Sequence, residues 1–211
     1  VVPMLPEVLS NGICSLNAHE DRYAMTCMME IDDAGTVVNY RIRPSIIHVG
    51  RRCSYKEVYK ALEENIIPDD LQDFMPMLRD LAEISKVLNR MRRRRGALDF
   101  DFPEYKVLLD LDGTPLRIVK RDRTMAERLI EECMLIANET VATHLKNTHR
   151  TSVYRIHESP SEEKLDLFQK VLNYLGQNLV LSADGVTPRD FQKILDVVKG
   201  QDIEQVVQIM T

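Results

Sequence analysis

The spacing of apolar positions divides this chain into hairpins and amphipathic helices. From Asp69 to about Arg95, the positions Leu71, Phe74, Met75, Leu78, Leu81, Ala82 and Leu88 recur every three or four residues, which predicts one long helix with a single buried stripe. Arg92 to Arg95 put cations at the negative end of that helix, and Gly96 suits the position just past it. A second stripe, Met125, Leu129, Cys133, Ile136, Ala137, Val141 and Leu145, predicts a helix from about Thr124 to Lys146. Shorter helices are marked by their starts. Ser54 with Glu57 three residues on forms a capping-box pattern for a helix to about Asn65, Ser161 caps one to about Leu175, Pro188 opens one to about Lys199, and Ile203 begins another.

Strand patterns fill the intervals. Arg22 to Ile31 and Val37 to His48 flank the turn Asp32-Asp33-Ala34-Gly35 and read as a hairpin. Tyr105 to Asp110 and Leu116 to Lys120 flank Asp112-Gly113, a two-residue turn signal, and Val153 to Ile156 reads as a short strand. Val1 to Leu16 reads as extended coil, because Pro3 and Pro6 restrict the residues before them. There is no internal repeat and no low-complexity tract. Helices outnumber strands and the strands come as hairpins, so the expected class is α+β, with mixed or antiparallel hairpins flanked by several long helices.

Composition narrows the function classes. The 211 residues are 44% apolar and 29% charged, as in a folded globular protein rather than a disordered one. The net charge of −5 means that binding to a polyanion must come from local clusters of Lys and Arg. No stretch approaches the roughly 18 apolar residues of a membrane span, and no secretory leader is present, so neither membrane nor secretion is expected. The chain opens at Val1 and stops within a helical pattern at Thr211, and both ends read as cuts. Cys14, Cys27, Cys53 and Cys133 form no C-x-x-C pair and read as buried thiols in a reducing cytoplasm. His19, His48, His144, His149 and His157 show no metal-ligand spacing.

Three features carry candidate chemistry, each with a plain alternative. Arg90 with Arg92 to Arg95 could pair with phosphate oxygens, or could be a solvated helix end. Glu131-Glu132 lies within the second long helix: Glu132 sits near the edge of the apolar stripe, and Glu131 projects about 100° away from it. Glu131 could line a cleft and hold a ribose hydroxyl, or be a surface acid with Glu127 and Arg128 as neighbours. The aromatic set Tyr55, Tyr59, Phe100, Phe102 and Tyr105 could stack bases or fill a core. Asp99, Asp101, Asp110 and Asp112 alternate near a strand but make an unconvincing metal cluster, so no catalytic or metal residue is expected within this chain.

Taken in order, these blocks resemble the ribonuclease II/ribonuclease R family of RNB-domain exoribonucleases. Pro3-Met4-Leu5-Pro6-Glu7-Val8-Leu9-Ser10-Asn11-Gly12-Ile13-Cys14, continuing to Asn17, is similar to the segment that follows the family's catalytic carboxylates. Arg95-Gly96-Ala97-Leu98-Asp99-Phe100 looks like its stretch after a long helix, and Ala126 to Asn138 with Glu131-Glu132 and Ile136-Ala137-Asn138 resembles its most recognisable helix. Tyr154-Arg155-Ile156-His157-Glu158 followed by Pro160 matches the short strand beyond. The resemblance covers essentially all 211 residues, with Ala18 standing where relatives commonly carry proline.

That resemblance implies a hydrolase that degrades single-stranded RNA processively from its 3′ end to nucleoside 5′-monophosphates with Mg²⁺. By position, Tyr55 and Phe100 would stack on the terminal nucleotides from two sides and Glu131 would lie beside the terminal ribose; Arg95 and Arg155 are weaker candidates for contact with RNA. The family's magnesium-binding aspartates would lie upstream of Val1 and its phosphate-stabilising arginine downstream of Thr211. Residues 1–211 are therefore expected to be a partial RNB catalytic domain, inactive alone, with RNA and not DNA as its partner. A non-catalytic RNA-binding scaffold and a helical interaction domain without an RNA role stand as alternatives.

Overall fold

The structure, a computed structural model, describes residues 4–98, 104–121, 123–156, 158–177 and 186–210. Its elements are the hairpin β1 (Asp21–Ile31) and β2 (Val37–His48), helices α1 (Tyr55–Glu63) and α2 (Met75–Arg95), the hairpin β3 (Glu104–Leu109) and β4 (Pro115–Arg121), and helices α3 (Met125–Asn147), α4 (Glu162–Tyr174), α5 (Pro188–Val198) and α6 (Glu204–Met210). Both sheets are two-stranded and antiparallel, so the α+β class expected from the pattern is the one observed. The chain separates into two compact units, one of residues 1–89 with 123–152 and one of residues 90–122 with 153–211.

In the first unit, Val58, Ala61, Leu71, Met75, Leu78 and Ala126 form the core, with Tyr59, Phe74 and Met125 packed against it. The β1–β2 ribbon meets this unit's helix α3 through the side chains of Tyr40 and Met29. The Tyr40 ring stands edge-on to His144 at 5.7 Å, and the Thr140 hydroxyl lies 3.3 Å from the Met29 sulfur. Asp32 closes the ribbon's turn: its carboxylate accepts from the amides of Ala34 (3.0 Å) and Thr36 (2.8 Å), with Gly35 at φ +88°.

The β3–β4 turn, in the second unit, repeats that chemistry. Asp110 accepts from the amides of Asp112 (3.0 Å) and Thr114 (2.8 Å), and Gly113 takes φ +82°. The Asp110 amide bonds the Thr114 carbonyl, so the loop is Leu111-Asp112-Gly113, three residues rather than the two expected. This unit's core is Phe168, Leu172, Phe191, Ile194, Val198 and Val207, drawn from α4, α5 and α6.

Five other expectations are corrected, the first being the buried thiols: Cys14 and Cys53 are exposed, and Cys27 and Cys133 are partly so. The segment read as extended coil holds a wide helical turn, Val8–Ile13, closed by the Cys14 amide on the Leu9 carbonyl at 2.9 Å. Pro3 and Pro6 restrict the residues before them and leave those after them free to coil. The helix expected from Asp69 is a 3₁₀ turn, Asp69–Phe74, followed by α2 from Met75. Pro76 is the reason, because its ring would strike the Gln72 carbonyl in a continuous α-helix. The buried row of α3 is Ala126, Leu129, Glu132, Ile136 and Thr140, rotated from the apolar stripe so that two polar residues lie inside. Residues 153–156 form no strand: a strand needs a ladder partner, and Val153 and Ile156 stand exposed.

Candidate nucleic-acid interface

Tyr55 is the first residue of α1 and is 44% exposed. Two devices fix the helix start beneath it. The first is the expected capping box: Ser54 accepts from the Glu57 amide at 3.3 Å, while the Ser54 amide (2.9 Å) and hydroxyl (2.7 Å) donate to Glu57 Oε2. The second leaves no mark in the sequence. Arg51 donates from Nη2 to Glu57 Oε1 at 3.1 Å and from Nε to Asp70 Oδ2 at 2.9 Å, and its Nη1 lies 3.3 Å from the Cys53 sulfur. The Ser54 hydroxyl and amide, then Arg51, hold the Glu57 carboxyl down at about 2. In turn Asp70, Cys53 and Glu57 raise the Arg51 guanidinium further above its ordinary value.

Glu131 and Glu132 diverge as the helical geometry predicts. Glu132 is 2% exposed and accepts from Asn89 Nδ2 at 2.9 Å, which ties α3 to α2 inside the first unit. Burial and then the neighbouring Glu132 charge push the Cys133 thiol up. Glu131 stays partly exposed and pairs with Arg123 rather than with Arg128, the neighbour that its spacing offered. Arg123 immediately precedes Thr124, the N-cap of α3, whose amide donates to Glu127 at 3.0 Å. Thus the capping residues that start α3 also set the loop from which Arg123 reaches Glu131.

The structure therefore brings Tyr55 and Glu131 into one compact unit, on helices that pack together through Val58, Ala61, Met125 and Ala126. Phe100 lies outside the described residues, as do Phe102, Asp99 and Asp101. Of the other aromatics, Tyr59 packs on the core and Tyr105 is exposed on β3. Arg155 is exposed in the strandless segment.

Arg95 is exposed at the end of α2, a stretch that belongs to the second unit, and α5 of the same unit supplies a cap there. Arg189 donates to the Arg94 carbonyl at 2.8 Å, and Gln192 to the Arg93 carbonyl at 3.2 Å. Arg189 could have been suspected, since a cation in the first turn of α5 opposes that helix's own dipole and so serves a neighbour. The pair Arg51–Asp70, separated by 18 intervening residues, left no such signal.

Among the described residues, no three His, Cys, Asp or Glu side chains gather to hold a metal ion. Asp110, one of the alternating aspartates, spends its carboxylate on its own turn. No described helix is long and apolar enough to cross a membrane.

Comparison with known proteins supplies the wider setting. The chain is 39% identical over 211 residues to ribonuclease R 1 of Lactococcus lactis, covering 100% of this chain and 26% of that protein. It is also similar to the solved structure of Mycoplasma genitalium RNase R in complex with ribose-methylated single-stranded RNA, with 30% identity and a TM-score of 0.93 over 99% of this chain and 33% of that one. The same RNase R in complex with double-stranded RNA matches with 30% identity and a TM-score of 0.92, over 99% of this chain and 37% of that one. The chain thus spans 26 to 37% of these relatives. The sequence pattern of the RNB domain matches residues 1–211 from end to end, and with the motif order and the fold in agreement, the chain belongs to the RNB domain family.

Proposed function

We propose that this chain is the nucleotide-gripping part of an exoribonuclease that acts processively from the 3′ end of single-stranded RNA and releases nucleoside 5′-monophosphates. The observation that carries the reading is Tyr55, an aromatic ring left half in water on a helix start that is capped and braced. A ring held this way offers a stacking face to any base without reading its identity. Phe100 would close the stack from the other side. Glu131, oriented by Arg123, would accept a bond from the ribose 2′-hydroxyl that DNA lacks. Arg95 and Arg155, both exposed, are the cations we assign to phosphate. Support also comes from relatives named ribonuclease R and from a similar structure solved with single-stranded RNA.

Magnesium, when bound, would supply the activated water and neutralise developing charge. The described residues of this chain do not fit a magnesium site. We place its ligands in the aspartate-rich motif that the resemblance puts upstream, and the arginine that stabilises the phosphate downstream. The isolated chain is therefore a partial catalytic domain without activity of its own.

Two measurements test this. Labelled single-stranded RNA incubated with the chain and Mg²⁺ should stay intact, and stepwise loss from the 3′ end would refute the proposed inactivity. In fluorescence anisotropy, Tyr55→Ala and Phe100→Ala should each weaken single-stranded RNA binding about 5- to 150-fold, the worth of one stacked base. Unchanged affinity in both variants would sink the stacking role.

A further inference from the structure

The geometry points to Arg51 as a positioning residue for the nucleotide stack: it acts on RNA only by fixing the ring of Tyr55. This rests on the stacking role proposed for Tyr55. A residue that is 44% exposed has limited packing to hold its side chain, and the first turn of a helix is where fraying begins. Whatever sets the ring must act on the backbone beneath. Arg51, on the loop between β2 and α1, is well placed to do so.

Its side chain is only 14% exposed although it carries a charge on a connecting loop. The planar guanidinium forks between two elements, reaching Glu57 of α1 at 3.1 Å and Asp70 of the following 3₁₀ turn at 2.9 Å. Leu71, next to Asp70, is fully buried in the core that also holds Val58 and Ala61 of α1. Arg51 thereby ties the first turn of α1 to the firmest part of the unit. Glu57 divides its oxygens, Oε2 for Ser54 and Oε1 for Arg51, so the cap and the brace share one carboxylate. Residues 55 and 57 are two positions apart, about 200° around the helix, so the brace holds the turn from behind and leaves the ring open. With two carboxylates beside it, Arg51 is already neutralised and has no charge to spend on a phosphate.

A lysine cannot copy this fork, because an ammonium presents no planar pair of donors. Three properties separate the role from a phosphate contact and from general bracing. Losing a phosphate contact would lower the slope of log affinity against log salt by about one, whereas losing a positioning residue leaves the slope unchanged. A general brace would add its effect to that of Tyr55→Ala, whereas a positioning residue has none once the ring is gone. Stacking itself is read by quenching of a base analogue.

The experiment titrates this chain with a single-stranded oligoribonucleotide carrying 2-aminopurine at its 3′ end, following both affinity and fluorescence. Arg51→Gln should weaken binding about 3- to 10-fold with reduced quenching and an unchanged salt slope, Arg51→Lys should fall between, and Arg51→Gln in the Tyr55→Ala background should change affinity less than about twofold. Asp70→Asn, at a largely exposed side chain, removes one arm of the fork with little risk to folding and should show the same signature. Wild-type affinity and quenching in Asp70→Asn and Arg51→Gln would overturn the assignment, as would additive effects with Tyr55→Ala or a salt slope lowered by one. If Tyr55→Ala itself leaves affinity and quenching unchanged, the stacking role fails first and the positioning role falls with it. If only the Arg51 and Asp70 variants are silent, the stacking role stands alone.

Discussion

Replacing Gly96 by alanine isolates how tightly α5 is seated on the end of α2. Gly96 has φ +101°, beyond the comfortable left-handed region, so a side chain there costs about 1–2 kcal/mol before any contact is counted. A Cβ at that position would lie 3.0 Å from Arg189 Cγ and 3.1 Å from the Arg189 backbone nitrogen, with Pro188 at 3.4 Å. The Arg189 side chain can swing aside, but its backbone belongs to the first turn of α5 and must move with the helix. Moving it loosens the bonds from Arg189 to Arg94 and from Gln192 to Arg93, each worth about 1 kcal/mol. The total is about 2–5 kcal/mol. Gly200, at φ +78° with nothing within 4 Å, carries the backbone cost alone and serves as the control. Hydrogen exchange read by mass spectrometry on peptides of α5 should show protection falling about 30- to 4,000-fold in Gly96→Ala, against about 5- to 30-fold in Gly200→Ala. Equal losses in the two variants would mean that α5 does not press on the end of α2.

Two further outcomes follow from burial and charge. Leu172 is fully buried at the centre of the α4–α6 core, so Leu172→Ala should cost about 2–5 kcal/mol in urea unfolding, while Leu167→Ala, at an exposed position earlier on the same helix, should cost no more than about 0.5 kcal/mol; equal effects would contradict the packing. Glu57 has its carboxyl lowered from 4.5 to about 2 on folding, so its contribution is complete above about pH 4.5 and disappears as the pH falls through 2. Melting curves of wild type and Glu57→Gln should therefore differ at pH 7 and converge at pH 2, and a gap that widens in acid would reverse the sign of this linkage.

What the sequence disclosed was local chemistry. Asp32 and Gly35 marked one hairpin turn, Ser54 with Glu57 marked a helix start, and Pro188 opened α5 where expected, because each signal and its structural effect lie within a few residues. Pro76 is equally local, but the apolar stripe runs straight through it and hides the break. The long-range partners were not legible. Arg51 finds Asp70, Arg123 finds Glu131 and Asn89 finds Glu132 only after the chain has folded, and nothing in their spacing marks the pairs. The same limit explains the segment at 153–156: β-branched and aromatic residues favour a strand, but a strand exists only where another offers a ladder. For the candidate interface, Tyr55 and Glu131 are legible from motif resemblance, while the groups that hold them in place are legible only in the structure.

The β1–β2 ribbon also decides how this chain will behave at the bench. Tyr23, Met25, Met28, Val38 and Ile46 all face water along strands of 11 and 12 residues, and among the described residues neither outer edge carries another strand in the sheet. Ribbons of that kind adhere to one another, so light scattering should rise steeply with protein concentration. Sulfate, which strengthens apolar association, should bring on the turbidity earlier, and a lysine in place of Met25 or Ile46 should delay it.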